Sequence, residues 1–287
     1  MSVNIDHIIK ASKDFYDEIH EELSSTIKRK YDNKSKTFAQ LNKYKDEELP
    51  ELLKTRYEET DSIWITKQEL INLVDLKLAK GTFRPMLPKF IKSNEDDYIE
   101  ECTKSGFQYM LDFINEHKNP SKEFWSEVKD EIKYEYVDAI EKCFDEFCKL
   151  KGVGPSTASL IASLLIKISP IFSPPYFSEE GFSFYVLDAY EGGSEMKKIK
   201  YDTKEYVEQY LPVYFELMAQ HPGITFDTLE KGGWALKIYQ KKRTEKLENL
   251  EPDFDDDQIH ALVLDKQPNL DGRPKKPKKK RQKKAQL

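Results

Sequence analysis

Two short stretches of the 287-residue chain bring together residue types able to do chemistry. The first is Lys151-Gly152-Val153-Gly154-Pro155-Ser156-Thr157. Its two glycines leave no side chain over the neighbouring amides, and Pro155 suits the first turn of a helix, where its missing N–H would be unpaired anyway. Amides left open at the positive end of a helix dipole can receive a phosphate. The second stretch is Ser178-Glu179-Glu180, whose carboxylates could activate water or stabilise a cationic transition state. The same three residues also read as a helix N-cap with acids in the first turn, where the dipole favours them.

Other chemistry finds little support in the residues. His7, His20, His117, His221 and His260 are scattered, and no H-E-x-x-H, G-x-S-x-G, P-loop or G-x-G-x-x-G signature occurs. Cys102, Cys143 and Cys148 lack metal-ligand spacing and read as reduced thiols, and Asp255–Asp257 lacks the spacing of an EF-hand. Neither a metal nor a cofactor is expected. Tyr134, Tyr136 and Tyr176 could stack on bases, although burial is the commoner fate of tyrosines in an aromatic-rich helical protein.

The elements that position these residues read as helices. Ile140, Phe144 and Phe147 share one face of a helix ending near Leu150, residues 151–154 form a tight turn, and a second helix begins at Pro155. Val153 is expected to point inward as a plug, Ala158 to let the two helices approach, and Gly152 and Gly154 to flank a turn with solvent-facing amides. Upstream, Thr66 and Glu69 form a capping box for a helix through Leu70, Leu73 and Leu76 that stops at Gly81. Pro85 and Pro88 bracket a turn. Helical spacing also marks Ile5–Tyr31, Leu49–Tyr57, Glu95–His117, Lys122–Lys149, Ser156–Ile168, Glu180–Tyr190, Thr203–Ala219 and Thr225–Arg243. Gly192-Gly193 and Gly232-Gly233 read as turns. The expected fold is all-α: a helical body over residues 1–243, an acidic linker over 244–271 and a disordered basic tail over 272–287. Within the linker, Ile259, Leu262, Val263 and Leu264 could form a short docking segment.

The string Leu150-Lys-Gly-Val-Gly-Pro-Ser-Thr-Ala-Ser-Leu-Ile161 resembles the helix-hairpin-helix motif of DNA glycosylases and other DNA-repair proteins, matching at Leu150, Gly152, Val153, Gly154, Thr157, Ala158 and Ile161. The resemblance implies a hairpin that grips the DNA backbone without reading sequence, with Lys151, Gly152, Val153, Gly154, Ser156 and Thr157 as the contact residues. A second block, Trp64 to Leu87, is similar to a segment of an uncharacterised fungal family that pairs it with the same hairpin and a step like Tyr176-Phe177-Ser178-Glu179-Glu180. This likeness spans residues 60–240 or so and implies a fold without an activity. Within the block, Lys77, Lys80 and Arg84 could reach a phosphate, a solvated face being the ordinary alternative. Bifunctional glycosylases carry a lysine two residues past the second glycine; that position is Ser156. Their catalytic aspartate falls near Pro175 or Tyr176, which leaves Glu179 and Glu180 as the candidates for a carboxylate role.

Net charge divides the chain. Nine of its 46 basic residues lie between Arg273 and Lys284, so residues 1–272 set 37 bases against 52 acids, a net of −15. The tail, without aromatic or β-branched residues, cannot pack. Its cluster Lys275, Lys276, Lys278, Lys279, Lys280 and Arg281 suits a nuclear import receptor and also phosphates. No apolar run approaches the roughly 20 residues of a membrane span. The sequence therefore points to a nuclear protein that binds DNA backbone non-specifically through hairpin and tail, without catalysis. A monofunctional base-excision enzyme using Glu179 or Glu180, and a protein-interaction scaffold whose tail is only an address, are its rivals.

Overall fold

Burying the apolar stripes produces an all-α body in the computed structural model, which describes residues 5–188, 198–243 and 245–250. No strand occurs among the described residues; one isolated antiparallel bridge joins Tyr31 and Lys36. None of the described helices is long and apolar enough to cross a membrane. The acidic stretch 251–257, the possible docking segment at 259–264, Gly192-Gly193 and the basic tail lie outside the described residues.

The chain opens with α1 (Ile5–Lys10) and α2 (Tyr16–Thr26), joined by a π-helical turn over Ala11–Phe15. They end before the expected Tyr31 because Ile27 turns extended and Asp32, Asn33 and Lys34 take left-handed conformations that lead into the bridge. Next comes α3 (Phe38–Lys43), an unexpected helix with a Thr37/Gln40 capping box, followed by a π-helical turn into α4 (Leu49–Thr60). Then follow α5 (Lys67–Lys80), α6 (Leu87–Lys92) and α7 (Asp96–Glu116). The turn expected between Pro85 and Pro88 runs straight into α6, since Pro88 sits in a helix's first turn, where its missing donor costs nothing.

A single helix over 122–149 does not form. Val128 and Lys129 are extended, which separates α8 (Phe124–Glu127) from α9 (Asp130–Phe147). After the hairpin turn, α10 (Pro155–Ala162) tightens into a 3₁₀ segment over Ser163–Lys167. The remaining helices are α11 (Glu179–Phe182), α12 (Thr203–Glu205), α13 (Leu211–Gln220) and α14 (Phe226–Lys242). Further π-helical turns follow α11 and α12.

Helix α14 is central. Trp234 is fully buried on it, with the His20 ring stacked at 4.4 Å and the Tyr16 ring edge-on at 5.3 Å. Gly232-Gly233 is therefore no turn. It lies inside α14, where a Cβ on Gly232 would strike the Ile8 carbonyl and one on Gly233 the Tyr185 ring, so the pair admits α1 and an aromatic at backbone distance. Leu247 is also fully buried, so the packed body runs past residue 243 into the expected linker. Tyr136 and Tyr176 are buried core residues.

Candidate functional site

The turn that joins α9 to α10, called the hairpin for its geometry alone, is built as its apolar residues require. Phe144, Phe147 and Leu150 are buried, α9 ends at Phe147, and Val153 is buried between the two helices. Gly152 takes φ +85°, a left-handed conformation that favours glycine, and a Cβ there would lie 3.1 Å from both Leu87 and Phe90. The turn is thus held against α6. Asn94, just past α6, completes the clamp: its Oδ1 accepts from Lys151 N–H at 2.8 Å and its Nδ2 donates to Lys151 O at 3.0 Å.

These contacts sort the predicted backbone donors. Lys151 N–H is taken by Asn94, and Val153 N–H donates to Leu150 O at 3.0 Å. Thr157 N–H donates to Gly154 O at 2.8 Å. The amides of Gly152, Gly154 and Ser156 have no hydrogen-bond partner among the described residues, and all three residues line a cleft of about 290 Å³. Nothing lies within 4 Å of where a Gly154 Cβ would stand. Open donors at the first turn of α10 are the arrangement that receives an anion.

Ser178-Glu179-Glu180 reaches the same cleft. Ser156 Oγ donates to Phe177 O at 2.8 Å, and Ser159 Oγ accepts from Phe177 N–H at 2.8 Å, so α10 holds the approach to α11 by two bonds. From the other side, Tyr206 donates to Pro175 O at 2.9 Å and Tyr210 to Tyr176 O at 3.1 Å. Ser178 then caps α11 by accepting from Gly181 N–H at 3.0 Å. Glu180 is buried and Glu179 partly so, and both line the cleft. Lys241 Nζ stands 3.7 Å from Glu179 and 3.5 Å from Glu180, while Tyr201 donates to Glu179 at 3.2 Å. The helix-cap role and the place in the cleft are thus both present.

The third wall comes from α5. Its start is fixed by the Thr66/Glu69 capping box and by Arg56, which forms a two-pronged pair with Glu69 at 2.7 and 2.9 Å. Its last turn brings Lys77 and Lys80 to the cleft, with Arg84 just beyond. Lys77 Nζ donates to Thr157 Oγ1 at 2.7 Å. Burial, with repulsion from the Arg84 guanidinium added, brings the Lys77 amine down to about 7. Lys80 turns inward instead. Its Nζ donates to Tyr16 Oη at 2.7 Å and stands 4.4 Å from the centre of the Trp234 ring. Arg84 is exposed and lies 5.7 Å from the centre of the Tyr201 ring.

Sequence reasoning missed Asn94, Tyr201 and Lys241. Each reaches the site from a distant part of the chain, and no local pattern marks any of them. No group of three or more potential metal-ligating side chains gathers among the described residues. A second cavity, of about 580 Å³, is lined by Trp125, Phe172, His117 and Met218 and contains none of the predicted site residues. Compared with known protein families, characterised proteins and solved structures, the chain matches none.

Proposed function

We propose that the protein is a nuclear, non-catalytic DNA-binding protein that holds the phosphate backbone without reading sequence. The observation that carries the reading is that the Gly154 and Ser156 amides, at the start of α10, have no partner among the described residues and lie in a cleft shared with Lys77 and Arg84. A phosphate seated there meets the two backbone donors, the positive end of α10, Arg84 and, below pH about 7, a charged Lys77, while Glu179 and Glu180 on the same cleft are partly offset by Lys241. The acidic body makes the contact local and salt-sensitive. The tail cluster Lys275–Arg281 adds phosphate contacts and serves as the nuclear address.

The test uses a chain lacking residues 273–287 and measures duplex binding at about 50 mM salt, where surface charge is only partly screened. Gly154→Leu adds a side chain at a position where a Cβ meets nothing within 4 Å, and far-ultraviolet circular dichroism and thermal unfolding check that the fold is kept. Binding that falls about tenfold or more supports the hairpin as the grip, as expected when charge-assisted hydrogen bonds are lost. Binding that is unaffected contradicts it.

A second reading, monofunctional base excision, draws on Glu179 and Glu180 lining the same cleft. It requires a carboxylate at a flipped nucleotide. Alkali-revealed strand breaks on damaged duplexes that vanish in Glu179→Gln or Glu180→Gln would favour it over the non-catalytic reading.

A further inference from the structure

The most exposed large apolar side chains in the described body are grouped in one segment beside the hairpin. Phe83, Met86 and Phe90 are 55%, 53% and 47% exposed. Phe83 and Met86 precede α6 and Phe90 lies on it; Phe90 N–H donates to Met86 O, which places those two side chains one helical turn apart. Three exposed aromatic or thioether side chains so close together are not scattered surface residues of the ordinary kind. The segment is also free of acids. Between Asp75 and Glu95 there is no carboxylate, while Arg84, Lys89 and Lys92 are exposed. Asp75, which Lys92 approaches, is already paired with Arg29 at 3.0 Å.

Charge selects the occupant. A body with a net charge of −15 outside its tail presents here an apolar segment interspersed with exposed Arg84, Lys89 and Lys92 and free of acids, which suits a polyanion that also carries flat apolar faces. The patch is continuous with the hairpin, because Phe90 packs its Cβ against Gly152 and Asn94 ties the end of α6 to Lys151. We infer that Phe83, Met86 and Phe90 form a stacking platform for unpaired nucleobases, with Arg84, Lys89 and Lys92 on the flanking phosphates. Single-stranded or locally opened DNA is then the preferred ligand over intact duplex. This rests on the DNA-binding reading above and adds the strand state that the site selects.

The experiment uses the full chain, an oligonucleotide carrying 2-aminopurine, and its duplex. Stacking on the platform quenches the fluorophore in the single strand. In Phe83→Ala/Phe90→Ala the quench is lost and single-strand affinity falls about tenfold, the scale of removing a base–aromatic stack, while duplex affinity stays within about twofold. Phe83→Trp provides a folded counterpart: it keeps the affinity, and its indole emission drops when the single strand binds. An unchanged quench in the double variant overturns the platform, as does an equal loss of affinity for both strand states. The two readings fail separately. If the hairpin reading alone is wrong, Gly154→Leu leaves duplex binding intact while the Phe83/Phe90 variant still loses its quench. If the platform alone is wrong, the pattern reverses.

Discussion

Lys77 and Thr157, eighty positions apart in the chain, are joined by a 2.7 Å hydrogen bond from Nζ to Oγ1 that ties α5 to the first turn of the hairpin's second helix. The bond holds the amine in the wall of the cleft. It also leaves Lys77 beside a neutral acceptor instead of a carboxylate, so burial dominates and its amine stands at about 7.

A pH dependence follows. Anion binding in the cleft uses the charged amine, so affinity for a short duplex weakens as pH rises from about 7. Lys77→Met removes this step and costs about tenfold in affinity at pH 6, within the range for losing a charge-assisted hydrogen bond. Titrations from pH 6 to 9 on the chain without residues 273–287 measure both. Stability moves the other way. The folded amine loses its proton near 7 and the unfolded one near 10.5, so the burial penalty is fully present below about 7 and is relieved as pH rises towards 10.5.

The two hairpin glycines differ in what they tolerate. Gly152→Ala forces a side chain into a left-handed position packed against Leu87 and Phe90, and should cost about 1–2 kcal/mol or more. Gly154 has an extended backbone and open space, so Gly154→Ala leaves stability within about 0.5 kcal/mol. Urea unfolding of the two variants checks the contrast.

The local signals in the sequence carried as far as local physics reaches. Thr66, Glu69 and Gly81 marked the ends of α5, and Gly152-Val153-Gly154-Pro155 marked the turn and its buried plug, because caps and positive-φ glycines act within a few residues. What stayed hidden was non-local. Which amide remains open depends on Asn94, and the inward turn of Lys80 depends on Tyr16 and Trp234, from opposite ends of the chain. Gly232-Gly233 misled for the same reason, since a close helix approach and a turn call for the same residue type.

Behind the cleft lies a buried charged cluster. Burial would raise the Asp46 carboxyl, but Lys45, Lys231 and Lys80 outweigh it and hold Asp46 well below the ordinary carboxylate range. Lys45 Nζ stands 2.9 Å away and Lys231 Nζ 3.7 Å. Asp46→Asn removes the 2.9 Å partner of buried Lys45, while Lys231 keeps Asp227 at 3.0 Å, and should destabilise the fold by about 3 kcal/mol. The stability Asp46 contributes is fully present above its unfolded value of about 3.9 and is lost as pH falls through the depressed folded value. Thermal unfolding of both proteins between pH 2 and 7 should therefore show a constant difference above about pH 4 that narrows steadily below it.

Removing residues 273–287 should lower duplex affinity and flatten its salt dependence, by about 0.9 in the log–log slope for each tail cation that had neutralised a phosphate. A residual slope in the shortened chain measures the body's own phosphate contacts.

The most direct measurement follows the backbone amides themselves. In ¹H–¹⁵N spectra of the chain without residues 273–287, titrated with a short duplex, the Gly154 and Ser156 resonances should move furthest downfield. Lys151 and Val153, whose N–H groups are already bonded to Asn94 and Leu150, should move little. Saturable binding that leaves Gly154 and Ser156 unmoved would contradict the account.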